Sequence, residues 1–253
     1  MLPYDEAGSG APLVLLHAGI ADRSMWAAHL APLADAGFRV IAPDLPGFGD
    51  APEGPGPLAP WQEVLAALDA LGLDDAVLVG DSFGAAVALR VAYLAPGRVR
   101  ALALLSMRWE EVEQSERLTA VWAAEEAALE RGDVDAAVQA VVDGWTLPDS
   151  PPELRERVAA MQRRAFELQL AAGDLEPAPD PLDEDPDWPA RLQMPVLLAA
   201  GERDMPDVQE SVHVLKGRIP HARAEFIAGA GHLAPLETPE AFRALLLDFL
   251  QAA

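Results

Sequence analysis

The chain has 253 residues, 51% of them apolar, no cysteine and a net charge of −23. That length suits one α/β domain with an insertion and allows a large core. The apolar fraction argues against disorder, and the missing cysteines exclude disulfides, a thiol nucleophile and thiolate metal sites. The charge argues against nucleic acid and anionic membranes as partners. No run approaches the length of a membrane span, and Met1–Glu6 has neither a basic stretch nor a long apolar one, so a soluble cytoplasmic protein is the expectation. Lys216 is the only lysine in a chain rich in Ala, Gly, Pro and Arg, which reads as the codon bias of a GC-rich bacterial genome.

In chain order, Leu13–Leu16 is a short apolar strand ending at His17-Ala18-Gly19-Ile20. A helix is expected from Ser24 or Met25 to Ala36, stopped by Gly37. Arg39–Ala42 is the next strand, followed by the turn-rich Pro43–Gly49, and Pro60–Leu71 reads as a helix ended by Gly72. Ala76–Val79 is a strand and Ala85–Ala92 a helix, with Gly80-Asp81-Ser82-Phe83-Gly84 between them. Another strand follows at Ala101–Leu105. Strands alternating with helices imply a mostly parallel, doubly wound sheet.

The alternation stops near Arg108 and resumes at Pro195. Between them the pattern is helical: Val134, Ala137, Val138, Val141, Val142 and Trp145 share one apolar face. Ser150-Pro151-Pro152-Glu153 combines a capping-box pattern with proline at the first helical position, so a helix starts there and runs to Gly173. Glu176–Asp187 is a proline-rich acidic connection. Residues 110–187 hold 21 acids and six bases. Strands at Pro195–Ala200 and Ala224–Ile227 and a helix at Pro239–Leu250 complete the chain. Residues 1–107 and 189–253 thus form an α/β core, and 108–188 an all-helical cap inserted between two core strands.

A G-x-S-x-G segment between strand and helix reads as a nucleophile elbow: a tight turn exposes the serine Oγ, and the glycines let strand and helix approach. In open α/β sheets, reactive groups gather at the carboxyl ends of strands. There the chain carries Gly201-Glu202-Arg203-Asp204 after one strand and Gly229-Ala230-Gly231-His232 after the next. A serine needs a base to take its proton, which His232 supplies near neutral pH; an acid must fix the imidazole tautomer, which is the role read for Asp204. Glu202 and Asp207 lie close enough in sequence to compete for it. Backbone N–H groups must meet the developing oxyanion, one from Phe83 and a second from Ala18-Gly19-Ile20.

His17-Ala18-Gly19, the Asp44–Gly49 turn, Gly80–Gly84, Gly201–Asp204 and Gly231–Glu237 together resemble the α/β-hydrolase superfamily, specifically its capped, carboxylesterase-like serine hydrolases. The resemblance implies Gly19 as the second oxyanion donor and favours Asp204 through its G-x-x-D spacing. It also implies two departures: Asp50 stands where the Asp44 turn commonly ends in serine, and the N-terminal hairpin strand is absent or very short. Ser82, His232 and Asp204 are then a catalytic triad acting on a small, mainly apolar, neutral ester or lactone, with no metal and no organic cofactor. The same fold leaves open a carbon–carbon bond hydrolase, an enol-lactonase, a cofactor-free haloperoxidase-like enzyme, or a small-ligand receptor.

Met25, Trp26, Met107, Trp109 and Leu233 are the expected apolar pocket. Trp122 and Trp145 are read as packing within the cap. His17 is read as a structural hydrogen-bonding residue, and His29, His213 and His221 as helix or loop residues.

Overall fold

The computed structural model describes every residue except 55, 174, 184 and 253. The elements in chain order are β1 (Tyr4–Ala7), β2 (Ala11–Leu16), α1 (Ala27–Asp35), β3 (Phe38–Pro43), α2 (Pro60–Ala70), β4 (Ala76–Asp81), α3 (Phe83–Leu94) and β5 (Val99–Leu105). They continue with α4 (Glu116–Glu130), α5 (Val134–Trp145), α6 (Pro152–Ala172), β6 (Val196–Gly201), α7 (Pro206–Arg218), β7 (Arg223–Ile227), α8 (Ala234–Glu237) and α9 (Pro239–Ala252). The strands form one sheet in the order β1-β3-β2-β4-β5-β6-β7, with β1 antiparallel to β3 and every other pair parallel.

Side chains alternate across a strand, so each strand feeds two cores. Val14, Leu16, Leu78 and Leu198 point to one face, where Val64 and Leu68 of α2, Val87 and Val91 of α3 and Leu215 of α7 cover them. Leu13, Leu15, Val79 and Leu197 point to the other, under Leu33 of α1 and Phe242, Leu246 and Phe249 of α9. Each fully buried Val, Leu or Phe contributes about 1.5–3 kcal/mol. Burial on both faces explains why these strands read as continuous apolar runs rather than as alternating ones.

The chain runs outward from β2 to β3, then returns to place β4 on the other side of β2. The crevice at the carboxyl ends of β2 and β4 is therefore the topological switch point, where such sheets hold their ligands. Helices α4 to α6, between β5 and β6, reach over that end. Ser24 Oγ lies 3.4 Å from Met161 Sδ, and Arg164 Nε donates to Gly49 O at 3.1 Å.

Several local expectations are refined or changed. The N-terminal strand is present and very short, one of the two forms expected, and its Tyr4-Asp5-Glu6-Ala7 gives little apolar signal. The first helix opens with a 3-10 turn at Arg23–Trp26, capped by Asp22, whose side chain accepts from Ser24 N. At α6 the helix begins at Pro152, but its N-cap is Pro151 with no side-chain cap, so Ser150 does not form the expected capping box. The helix α7 carried no expectation at all.

Candidate active site

Ser82 sits between β4 and α3 with φ 51° and ψ −111°, a left-handed conformation that costs a non-glycine residue on the order of 1–3 kcal/mol. Surrounding structure holds it there. Ser82 N donates to Leu105 O at 2.8 Å, and Ser82 O accepts from Ala85 N and Ala86 N. A Cβ on Gly80 would lie 2.3 Å from Gly84 O, and one on Gly84 would lie 2.3 Å from Leu16 O. Glycine at both positions is what lets α3 turn back tightly against β4 and β2.

His232 follows β7 and is 5% exposed. Its Nδ1 lies 2.9 Å from Asp204 Oδ1 and its Nε2 lies 2.9 Å from Ser82 Oγ. An ionised carboxylate only accepts, so Nδ1 carries the proton and Nε2 is free to accept from the Ser82 hydroxyl. Burial works to lower the His232 pKa, but the charge and hydrogen bond of Asp204 outweigh it and hold the imidazole above its ordinary value of 6.5. Asp204 is steadied in turn by Met205 N at 2.7 Å. The two loops are tied together: Glu202 N donates to Ile227 O and Arg203 N to Ala230 O. Glu202 and Asp207 are engaged elsewhere, Glu202 with Gly229 N and Asp207 with Ser115 at the start of α4.

The loop after β2 comes up beside the elbow. A Cβ on Gly19 would lie 3.2 Å from Phe83 Cβ, so the Gly19 and Phe83 backbones approach each other next to Ser82. Phe83 N belongs to the first turn of α3, where amides have no intrahelical partner. His17 shapes this loop: Nε2 accepts from Leu45 N at 2.9 Å, and Nδ1 donates to Ala18 O at 2.8 Å. Its burial lowers its pKa, so it stays a neutral strut. Asp44 is buried and accepts from Arg23 N and Asp50 N, each at 2.8 Å, while the Arg23 guanidinium bridges Asp44 and Asp50. The Asp50 carboxylate thus finds a cation at the position where serine is the commoner residue. Among the described residues no three His, Asp or Glu side chains converge as a metal would need.

Residues 11–239 match the family model described as the alpha/beta hydrolase fold. The chain belongs to that family. Among the curated relatives of this hydrolase is 2-hydroxy-6-oxo-2,4-heptadienoate hydrolase of Pseudomonas putida, 30% identical over 98% of this chain and 91% of its own length. Another is pimeloyl-[acyl-carrier protein] methyl ester esterase of Aromatoleum aromaticum, 32% identical over 94% of this chain and 98% of its own. Among solved structures, a thermophilic esterase from Thermogutta terrifontis superposes with a TM-score of 0.83 at 29% identity, covering 99% of this chain and 93% of that one.

The hydrolase also holds a cavity of about 1500 Å³ between Pro46 and Phe48, the start of α2, helices α4 and α6, and residues 177–180. Phe83, next to Ser82, forms part of its wall with Phe48, Leu129 and Phe166; Ser82 and His232 do not line it. None of Met25, Trp26, Met107, Trp109 and Leu233 borders this cavity. Met25 and Trp26 turn inward from the 3-10 turn instead. Met25 Sδ lies 3.4 Å from Ala18 N, and the Trp26 ring packs on His29 and Phe242. Met107 is buried in the core, Trp109 stacks on Trp188 at 5.3 Å, and Leu233 is fully buried in the α9-side core. Trp145 departs the other way: its ring centroid lies 4.3 Å from that of His232. Its place at the end of the apolar face of α5 identified it as a packing residue, but nothing in the spacing says which core loop that end meets.

Proposed function

We propose that this protein is a serine hydrolase of small, uncharged, mainly apolar esters or lactones. The observation that carries the reading is the continuous pair of 2.9 Å contacts from Asp204 through His232 to Ser82 Oγ, at the strained turn opening α3. Ser82 Oγ attacks the carbonyl carbon as its proton passes to His232 Nε2, and Asp204 stabilises the imidazolium. The tetrahedral oxyanion is met by the N–H groups of Gly19 and Phe83, fixed dipoles that need no reorganisation as charge develops. His232 returns the proton to the leaving alcohol, an acyl-enzyme remains on Ser82, and water activated by the same base releases the acid.

The name of the Pseudomonas putida relative supports a second reading, cleavage of an oxo-dienoate, a substrate that carries a carboxylate. The cavity counts against it. Its lining includes Glu53, Glu63, Glu110, Glu125, Asp180 and Asp183 and, among the described residues, no Lys, Arg or His. Those carboxylates, beside Phe83, repel an anion that approaches Ser82 from that side. A receptor that only binds its ligand is the reading from another class, and it predicts binding without turnover.

A panel of aryl esters of graded acyl length, with lactones and an oxo-dienoate, assayed on wild type and Ser82→Ala, separates these readings. Ester turnover that falls by at least about 10³-fold in Ser82→Ala supports the proposal. Turnover surviving that substitution, or activity confined to the dienoate, rules it out.

A further inference from the structure

The His232 ring touches more than its two triad partners. Trp145 lies against it with ring planes tilted by 43° and centroids 4.3 Å apart. The same short segment makes two further contacts with the loops that carry the triad. Leu147 packs so closely on Gly231 that a Cβ there would come within 2.8 Å of Leu147 Cδ2, and Asp149 binds the Arg203 guanidinium at 2.7 and 3.1 Å. Residues 145–149 therefore touch His232, the residue before it, and the residue before Asp204. The segment is itself held: Thr146 Oγ1 donates to Val142 O, and Arg155 Nη1 donates to Thr146 Oγ1, both at 2.6 Å.

We propose that Trp145 is a positioning residue that stabilises the imidazolium form of His232 through its indole face, and so couples the seating of the helical insertion to proton transfer at Ser82. This rests on the triad reading above. His232 becomes positively charged as Ser82 attacks, in a site 5% exposed, where water does little to support the charge. The groups that face it are Asp204 after β6, Asp81 at the end of β4, Glu237 on α8 and the neutral hydroxyl of Ser82. An indole face adds negative quadrupole potential at that ring without adding a charge, and the effect of an aromatic face on a cation is largest when the cation is desolvated.

A merely structural role has the opposite signature. If Trp145 is only a wall, removing it admits water to His232, eases the charging of the ring and raises its pKa. If the indole face supports the cation, removing it lowers that pKa. The test is an NMR titration of the His232 imidazole in wild type, Trp145→Phe and Trp145→Leu, alongside kcat/KM against pH on a neutral aryl ester.

The expected result in Trp145→Leu is a fall in the His232 pKa of about 0.5–1.5 units, with the acid limb of kcat/KM moving to lower pH by the same amount. Trp145→Phe recovers a large part of both. A pKa that is unchanged or raised in Trp145→Leu overturns the inference. Should that variant fold poorly, wild-type protein grown on singly and doubly fluorinated tryptophan keeps the shape and weakens the ring potential. The His232 pKa must then fall stepwise with fluorination, with no stepwise change when Trp145→Phe is grown on the same tryptophans, and a flat wild-type series overturns the proposal. If ester turnover survives Ser82→Ala while the titration shifts as expected, the triad reading fails and the contact stands. If Ser82→Ala is inert and the His232 pKa does not move, only the present inference fails.

Discussion

Asp81, one residue before Ser82, is fully buried, and neither carboxylate oxygen has a hydrogen-bond partner among the described residues. Ser106 Oγ lies close by but does not meet it in good hydrogen-bond geometry, and it is itself unpartnered. Burial pushes the Asp81 pKa well above the ordinary value, the charges of Asp204 and Glu237 push it further, and His232 opposes them. Asp81 is therefore protonated in the folded state over a pH range where the unfolded chain is ionised. The sign follows from linkage: stability from this group is complete below the unfolded pKa of about 3.9 and declines as pH rises towards the folded value. Asp81→Asn removes that dependence. Its midpoint in urea, relative to wild type, is expected to improve as pH rises from the unfolded pKa towards the folded one, and a pH-independent difference would show Asp81 to be ionised. His29 is neutral throughout the working range: burial lowers its pKa to about 4, and its Nε2 donates to Pro235 O at 2.8 Å. On the proposed triad, the acid limb of kcat/KM reports His232 and is expected above pH 6.5, the ordinary histidine value, because its pKa is raised. A limb centred well below that value would mean that Asp204 does not stabilise the imidazolium.

Among the elements, the elbow has the least tolerance. A methyl group on Gly84 meets two backbone oxygens, Leu16 O at 2.3 Å and His17 O at 2.6 Å, on the neighbouring strand end. Neither can move without displacing β2. Gly84→Ala should therefore cost at least about 2–3 kcal/mol in a denaturant titration and remove most activity, whereas a loss within about 0.5 kcal/mol would show that α3 can back away from the sheet. This element was legible in the sequence because an apolar strand, two glycines and an apolar helix surround the serine. Asp204 and His232 were legible for a similar reason, each following an apolar run that has to be a buried strand. The pocket was not. Met25 and Trp26 sit on a 3-10 turn, and their inward or outward aspect depends on how that turn meets α9. The role of Trp145 depends on how three helices lie over the core, which periodicity within one helix does not encode. Whether β1 is very short or absent was not legible because four residues with two acids carry no strand signal, and Ser150 lost the cap of α6 because the helix begins one residue later than the pattern suggests.

Across the molecule, charge and cavity act in the same direction. The net charge is −23, and the cavity beside Phe83 is lined by carboxylates and, among the described residues, by no basic side chain. Burial raises the pKa of Glu53 and of Glu125, which softens the local field without reversing it. Long-range repulsion of this kind is screened beyond a Debye length of about 8 Å at physiological ionic strength. The ratio of kcat/KM for a carboxylate-bearing ester to that for its neutral analogue is thus expected to rise several-fold between about 10 mM and 500 mM salt. A ratio that stays flat would mean that the acidic surface is only solvated. Among the described residues no helix is long and apolar enough to cross a membrane. The central claim is that Ser82 carries the acyl group. Its most direct test is peptide mapping by mass spectrometry after treatment with an aryl phosphonate ester. A single adduct on the peptide holding Ser82, formed in proportion to lost ester turnover and absent from Ser82→Ala, is the predicted result; an adduct on any other residue that abolishes turnover would contradict it.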